Sequence, residues 1–283
     1  MSLYSYCCSR TYLNIFAYGR TMKMIKGGAA MLKQDRQSAI VSLLNSSKTG
    51  SMTTVKIASE LNVAAMTIRR DLKEMAEHNL LTRIYGGATL YEEKTTKEKR
   101  ALQKEAKDEI GREIAHLVEP KTSIYLGAGT TVFASLDFLP KNEDIQFVTN
   151  SDISFHYLAD KDMDVTLTGG VYHKTTNEFV GTIAENSLSN FVFDVAFIST
   201  NGIWEGGATT SNFAEGNVQR AAVSRAKRKY IVCDHTKLGK ADRYNFLSLS
   251  DVTGLITDSG ISREEAKYYK QFTEVLIGKK VTE

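Results

Sequence analysis

Five short polar segments of the chain each follow an apolar run, and one of them has the composition of an anion site. In this segment, Gly127, Ala128 and Gly129 precede Thr130 and Thr131, where a helix is predicted to begin. Backbone N–H groups and two hydroxyls would then converge at the positive end of that helix, an arrangement that binds phosphate. The alternative is a plain tight turn, since glycine is needed wherever φ is positive.

The other four segments contain the side chains that bind hydroxyl groups and charges. They are Thr-Asn-Ser at 149–151 (including Asn150), Thr-Gly-Gly at 168–170 (including Gly169 and Gly170), Ser-Thr-Asn-Gly at 199–202, and Asp-His-Thr-Lys at 234–237 (including Asp234 and Lys237). Alone, Asp234 and Lys237 would be a surface pair, but five polar segments at one edge of a sheet favour a site for a small phosphorylated polyol. A dinucleotide is disfavoured because the first segment lacks the third glycine of the usual fingerprint. Asp152 is interpreted as the cap of a helix and not as a ribose-binding acid.

The elements that would position these segments alternate along the chain. β-branched runs at 123–126, 145–150, 165–168, 195–199, 229–234 and 254–258 are separated by helical stretches at 131–138, 153–160, 183–191, 215–226 and 263–272. This alternation predicts an α/β domain with a mostly parallel sheet and helices on both faces. Ligands bind outside the carboxyl ends of the strands in such sheets, which is where the polar segments lie.

A second kind of chemistry is predicted for a short basic helix near residue 70. Ile68, Leu72 and Met75 recur at i, i+4 and i+7, so they form one apolar stripe that packs inward. Met66, Arg70 and Lys73 would face outward, with Arg69 on the flank and Thr67 near the start of the helix. A basic helix of this length fits the major groove of DNA, although basic residues can also form a simple solvated face.

The flanking residues complete a winged helix-turn-helix. After this helix, two short apolar runs surround Gly86-Gly87 and predict a hairpin, or wing, that carries Arg83 and Tyr85. Upstream, residues 36–44 and 55–61 read as two more amphipathic helices. Their apolar residues, which would close a small core, are Ile40, Leu43, Leu44, Val55, Ala58 and Leu61.

These motifs resemble those of a known family. The segments TIRRDL at 67–72 and LLTRIYGGA at 80–88 are similar to the N-terminal domain of the DeoR family of bacterial transcriptional regulators. The resemblance continues through GAGTT, VTNS, LTGG, FVG, DVAFISTNGI and YIVCDHTKLGK, in the order found in the effector domain of that family. Two departures are Ala64, where the family usually has a serine cap worth roughly 1 kcal/mol, and Tyr85, where it usually has histidine.

The resemblance implies a fold, a ligand and a set of site residues. The effector domain would be sugar-phosphate-isomerase-like, that is, Rossmann-like. Gly127, Gly129, Thr130 and Thr131 would hold the phosphate. The residues implied for the sugar and for closing the site are Asn150, Gly169, Gly170, Glu215, Asp234 and Lys237. The protein would repress a sugar-utilisation operon and leave operator DNA on binding tagatose 6-phosphate or a similar ester, although activation by the ligand is an alternative.

Two other functions are alternatives to repression. A sugar-phosphate isomerase needs a carboxylate to move a proton between adjacent carbons, and Glu215 is a possible base. Related isomerases have an acidic pair in a GADE-like motif, whereas residues 200–203 here read Thr-Asn-Gly-Ile, so we expect no enzyme activity and no catalytic residues. A ligand-free architectural DNA-binding protein would leave the polar segments unexplained.

Charge, cysteine content and length indicate the cellular location and the domain organisation. The 283 residues have a formal charge of +3, which combines +7 before residue 92 with −4 from that residue onward. The three cysteines (Cys7, Cys8 and Cys233) imply neither disulfides nor a metal. The sequence has no apolar run of membrane length, and the cysteine content favours a reducing cytoplasm. Because a helix-turn-helix protein gains affinity by dimerising, we expect a homodimer or tetramer, and we expect no cofactor. The expected domains are a leader (1–30), the winged helix-turn-helix (31–91), a charged linker and connecting helix (92–117) and the effector domain (118–283). Lys26-Gly27-Gly28 can be encoded by a ribosome-binding sequence, so translation is hypothesised to start at Met31.

Overall fold

The computed structural model describes residues 31–47, 49–77, 80–90, 95–141 and 144–280. These residues form two compact units. The first contains the described residues up to 76 together with Leu81–Leu90, and the second contains residues 77 and 80 and those from 95 onward. The expected leader, with Cys7 and Cys8, lies outside the described residues.

The first unit combines three helices with a small antiparallel sheet. Its elements are α1 (Lys33–Ser46), β1 (Ser51–Thr53), α2 (Thr54–Leu61), α3 (Ala65–Glu77), β2 (Leu81–Ile84) and β3 (Gly87–Leu90). β3 is the central strand, with β1 on one side and β2 on the other. The buried residues of the helices include Ile40, Leu44, Ile57, Ile68 and Leu72, so the predicted stripe of α3 faces the core.

Two details of this unit differ from the expectation. Val55 is exposed and Ile57 is buried in its place, because the inward face of α2 follows Thr54, Ile57 and Ala58. The wing also gains β1, which the sequence analysis did not predict. The hairpin turn lies at Tyr85 and Gly86, and Gly87 already belongs to β3, where a Cβ would stand 2.3 Å from the carbonyl oxygen of Met52 in β1.

The second unit is built on a seven-stranded parallel sheet. Its strands are β4 (Ser123–Leu126), β5 (Gln146–Thr149), β6 (Val165–Leu167), β9 (Phe193–Ser199), β12 (Ala226–Val232), β14 (Gly254–Thr257) and β15 (Glu274–Ile277). Their order in the sheet is β15-β14-β12-β9-β4-β5-β6. The chain therefore runs outward from β4 in one direction and resumes at β9 on the other side of β4. This reversal creates a switch point, the place where α/β sheets bind ligands.

Both faces of this sheet are covered by helices. They are α4 (Thr96–Ala101), α5 (Lys104–His116), α6 (Thr130–Ser135), α7 (Asp152–Ala159), α8 (Thr182–Leu188), α9 (Phe213–Ser224) and α10 (Arg263–Tyr269). Ile124 and Leu126 of β4 pack in one core cluster with residues of α5 and α6, whereas Tyr125 packs in another with residues of α8 and α9. This burial on both faces explains the continuous apolar runs of the strands.

Smaller elements complete the second unit. A hairpin of β7 (Val171–His173) and β8 (Glu178–Val180) follows β6, and β10 (Gly202–Trp204), β11 (Gly207–Thr210) and β13 (Tyr244–Ser248) form an antiparallel sheet. The cap of α7 is Ser151, whose hydroxyl accepts from the Ser154 N–H, and not Asp152, which is the first helical residue. None of the described helices has the length and apolar content required to cross a membrane.

Candidate functional site

The outer face of α3 is basic and open to solvent. Arg69, Arg70 and Lys73 are exposed, Thr67 is half-buried, and Met66 is 64% exposed although it is apolar. The predicted arrangement of apolar and basic residues on this helix therefore matches the structure. A helix with such a face can enter the major groove and contact both phosphates and base edges.

The two acids in the middle of α3 are turned toward α1. Asp71 is buried and accepts from Arg36, with 2.5 Å between Nε and Oδ2 and 3.1 Å between Nη2 and Oδ1. This hydrogen-bonded pairing raises the pKa of Arg36. Glu74 pairs with Lys33 at 2.5 Å between Nζ and Oε1. Both carboxylates are thus partnered within the first unit, which favours a positive outer face.

The wing presents its predicted residues to solvent. Arg83 lies on β2 and is exposed, and Tyr85 is fully exposed at the hairpin turn. Next to Tyr85, Gly86 has a φ of +73°, a value that L side chains rarely adopt.

In the second unit, the segments after β4 and β9 meet at the switch point of the sheet. Gly129 approaches Ser199 so closely that a Cβ on Gly129 would lie 2.1 Å from the Ser199 hydroxyl oxygen. Gly129 also has a φ of +143°, so only glycine fits. The turn places Thr130 and Thr131 in the first turn of α6, whose leading N–H groups lack partners within the helix.

A cavity of about 180 Å³ opens at this edge of the sheet. Among its lining residues are Lys99 of α4, Lys107 of α5, and Lys237, which follows β12. The predicted effector residues that line it are Gly129, Thr130, Thr131, Glu215, Asp234 and Lys237. Three lysines and the start of a helix around one small space suit an anion.

Lys107 is buried and held by backbone carbonyls. Its ammonium donates to the carbonyl oxygens of Lys99, at 2.5 Å, and Leu102, at 2.7 Å. Burial lowers the pKa of Lys107 to about 8, against an opposing effect of Asp234. The side chain therefore joins the wall of the cavity to the end of α4.

The segment after β12 places a second, half-buried lysine near an acid. Asp234 accepts hydrogen bonds from the backbone N–H and the hydroxyl of Thr236, which fixes the short 3₁₀ turn at His235–Lys237. Burial lowers the pKa of Lys237, and the charge of Asp234 opposes this shift. Asp234 thus both shapes the turn and balances the charge of Lys237.

Acidic side chains form another part of the cavity wall. Glu178 of β8 and Glu215 of α9 line the cavity, and both are buried. Glu215 accepts from the hydroxyl of Thr210, at 2.9 Å to Oε2, and lies 3.3 Å from His173 Nδ1. Within the described part of the chain, His173, Glu178 and Glu215 are the group whose ligand atoms lie close enough together, within 4.8 Å, to hold a metal ion.

Asn150 connects the turn after β4 to this acidic wall. Its Oδ1 accepts from the Ala128 N–H at 3.0 Å and from the Tyr125 hydroxyl at 2.9 Å. Its Nδ2 donates to Glu178 Oε2 at 2.9 Å and to the Phe179 carbonyl at 3.2 Å. Burial raises the pKa of Tyr125, which keeps the hydroxyl protonated as a donor. Asn150 therefore positions the site and does not itself line the cavity.

The other predicted residues lie further from the cavity. Gly127 follows β4, and its N–H donates to the Phe197 carbonyl. Gly169 and Gly170 follow β6, the edge strand, and Gly170 packs against the Val180 carbonyl. Gly169 and Gly170 lie away from the cavity because β6 is two strands away from β4 in the sheet. Several lining residues were not predicted from the sequence; they are Thr96, Lys99, Leu102, Gln103, Lys107, Thr176, Glu178, Thr210 and Gln219. Ser199, Thr200 and Asn201, which belong to the predicted segment at 199–202, do line the cavity.

The two units together define a class of protein, a DNA-binding regulator with a ligand-sensing domain. Two family models match the chain: the DeoR-like helix-turn-helix domain over residues 36–94 and the DeoR C terminal sensor domain over residues 102–259. The chain belongs to the DeoR family. The predicted family and fold class are confirmed, and the protein is a regulator and not an enzyme.

Similar proteins cover most of the chain. The lactose phosphotransferase system repressor of Streptococcus mutans is 36% identical over 254 residues, which are 87% of this chain and 100% of that protein. The repressor of the same name from Staphylococcus epidermidis is 34% identical over the same shares. A solved structure, ribose 5 phosphate isomerase A from Neisseria gonorrhoeae, matches 47% of this chain and 52% of its own with a TM-score of 0.35 and 16% identity.

Proposed function

We propose that this protein represses a sugar-utilisation operon and is released from operator DNA by a phosphorylated sugar. The observation that supports this most is the cavity at the switch point, where Lys99, Lys107 and Lys237 surround a space of about 180 Å³. The relatives are named repressors of the lactose phosphotransferase system, which favours lactose metabolism as the regulated process. Tagatose 6-phosphate is the effector we propose first.

In this proposal, α3 and the wing bind the operator. Arg69, Arg70 and Lys73 supply contacts to phosphates and base edges, Thr67 contacts the backbone near the helix start, and Met66 packs on a thymine methyl group. The exposed side chains of Arg83 and Tyr85 allow the wing to contact the DNA backbone. Like other helix-turn-helix proteins, this one would bind repeated half-sites as a homodimer or tetramer.

The phosphate group would bind between the turn at residues 127–131 and the lysines. Each lysine that loses water on burial is stabilised by an incoming anion, so the lowered pKa values of Lys107 and Lys237 favour a dianion in this place. The sugar would then extend toward the wall that contains Glu178 and Glu215. A cavity of this size suits a small ester better than a dinucleotide.

Release of DNA would begin at α4. This helix is the first described element after β3 of the wing in chain order, and it lines the cavity through Thr96 and Lys99. The Lys107 ammonium binds the carbonyls of Lys99 and Leu102 at the end of α4. A phosphate that draws the ammonium away would remove these hydrogen bonds from the C-terminal end of α4, and this loss would be the first step of the change that weakens DNA binding. The effector must bind this altered state more tightly to shift the equilibrium.

The test is binding of the full chain to its own upstream DNA, measured by fluorescence anisotropy over a range of salt concentrations. We expect tight binding that weakens with salt, and release by tagatose 6-phosphate, fructose 1-phosphate or a related ester. Tighter binding with an ester would replace repression by ligand activation. Specific DNA binding that no sugar phosphate alters would refute the proposed effector class.

A further inference from the structure

We propose that Gln219 and Glu215 of α9, together with Glu178 of β8, form a subsite that binds the hydroxyl groups of the effector's sugar. This inference rests on the proposed function, because it assigns the part of the same cavity that lies away from the phosphate. It adds Gln219, a residue with no charge and no motif, to the recognition of the ligand.

The first observation is the side-chain oxygen of Gln219. Gln219 is 5% exposed and lines the cavity, yet its Oε1 is buried without a hydrogen-bond partner among the described residues. Buried acceptors are almost always paired, because an unpaired one has lost its water and gained nothing. A ligand that offers an O–H donor at this place would supply the partner.

The second observation is the chemistry of the neighbouring groups. Glu215 and Gln219 are four residues apart, so they lie on the same face of α9. Glu178 and Glu215 are buried at 4% exposure each and also line the cavity. Ionised carboxylates accept hydrogen bonds and do not donate them. The subsite therefore offers oxygen acceptors, which complement the hydroxyl groups of a polyol.

The two carboxylates are held in place before any ligand arrives. The Thr210 hydroxyl donates to Glu215 at 2.9 Å, and the Asn150 amide donates to Glu178 at 2.9 Å. Such support reduces the entropy lost when a ligand binds. Negative charge on this wall also repels a phosphate, so the sugar phosphate has one favourable orientation, with its phosphate toward Lys107 and Lys237.

The experiment compares two probes by calorimetry on the full chain. One is whichever of tagatose 6-phosphate, fructose 6-phosphate and fructose 1-phosphate binds the wild type most tightly; the other is methyl phosphate, which lacks the polyol. We expect Gln219→Met to weaken the sugar phosphate roughly tenfold or more and methyl phosphate by less than about twofold. Because the substitution removes an unpaired buried acceptor, the melting temperature without ligand should stay equal or rise.

Three further variants complete the design. Glu215→Gln should weaken the sugar phosphate selectively, Lys237→Met should weaken both probes, and Glu264→Gln, at an exposed position of α10, should change neither. The inference is overturned if Gln219→Met lowers the melting temperature and weakens both probes equally, which would mark a structural role. It is also overturned if Gln219→Met and Glu215→Gln leave sugar binding intact while Glu215→Gln abolishes binding of Mn²⁺, which would assign the wall to a metal. Failure of the wild type to bind any sugar phosphate would instead refute the proposed function.

Discussion

The basic side chains of the two candidate binding surfaces differ in burial: those on the outer face of α3 are exposed, whereas those around the cavity are buried or half-buried. In the first unit, Arg69, Arg70 and Lys73 lie on the open face of α3. In the second unit, Lys107 is 5% exposed, and burial lowers its pKa and that of Lys237. On the inner side of α3, by contrast, Asp71 is buried against Arg36.

The difference reflects the size of the two anions that we propose as partners. Exposed cations keep their water and attract an extended polyanion, and salt screens that attraction. Buried cations have lost water already, so one small dianion in their cavity is bound strongly and with little screening. The exposed cations of α3 therefore suit an extended anion such as DNA, whereas the cations around the cavity suit a small anion.

The largest expected effect is a loss of stability when the buried ion pair of Arg36 and Asp71 is broken. Asp71→Ala should destabilise the packing of α1 on α3 by about 3 to 5 kcal/mol, because it leaves the Arg36 guanidinium largely buried without its partner. Hydrogen exchange of the full chain should show faster exchange in α1 and α3 and unchanged exchange in the second unit.

The control for Asp71→Ala lies one turn away on the same helix. Glu74→Ala removes the ion pair with Lys33, whose side chain is 54% exposed, so the loss should stay below about 1 kcal/mol. Equal effects of the two substitutions would contradict a structural role specific to the buried pair.

The next effect concerns a buried charge whose proposed partner is a ligand. Lys107→Met should weaken binding of the effector by about 3 kcal/mol, roughly a hundredfold, while operator binding without effector is retained. Its effect on stability should be smaller than that of Asp71→Ala, because an apolar side chain replaces a buried ammonium. Lys104→Met, at an exposed position of α5, is the control. A loss of stability with unchanged effector affinity would make Lys107 a structural residue only.

Most helices and parallel strands of the fold could be predicted from the sequence because their apolar residues form regular patterns. The stripe of Ile68, Leu72 and Met75 has a single period, and the parallel strands have apolar runs long enough to be recognised. Short elements such as β1 and the β7–β8 hairpin were missed because three residues give no measurable period. Their positions depend on contacts with distant residues, such as β3 against β1.

The site could be predicted only in part, because some of its residues have no local signal in the sequence. The turn at 127–131 is a local signal, so it could be found, whereas Lys107 lies in a stretch where charged residues are frequent and looks like part of a solvated helix. One signal was available, since Lys107 stands three and seven residues before Ile110 and Ile114 and hence on the buried stripe of α5. Gln219 had no such signal, because only the fold brings α9 next to Gly127.

A smaller effect is expected on the exposed face of α3. Arg70→Ala should weaken operator binding by roughly 1 to 3 kcal/mol if Arg70 contacts a base edge, and the loss should be confined to the operator sequence. Competition with unrelated DNA in the anisotropy assay measures this. An equal loss on every sequence, with a smaller salt dependence, would instead make Arg70 a phosphate contact. Stability should not change, because the side chain is exposed.

The smallest expected effect is a pH dependence that distinguishes the contribution of Lys107 to effector binding from its contribution to stability. Burial lowers the pKa of Lys107 from 10.5 to about 8, so the folded protein releases this proton before the unfolded chain does. Between about pH 8 and 10.5 the unfolded chain binds more protons, and the contribution of Lys107 to the free energy of unfolding therefore rises with pH. Effector affinity should fall over the same range, by at most about tenfold per pH unit, because a neutral amine no longer attracts the phosphate.

Calorimetry at pH 7, 8 and 9 would measure how effector affinity changes with pH, and urea denaturation at the same pH values would measure how the free energy of unfolding changes. The two slopes against pH should have opposite signs. Lys107→Met should reduce both slopes relative to the wild type, whereas Lys104→Met should leave both unchanged. Because the same titration lowers affinity and raises stability, general unfolding at high pH cannot produce the expected pair of results. Affinity and stability that fall together above pH 8 would contradict the assignment of Lys107 as the buried cation that binds the effector.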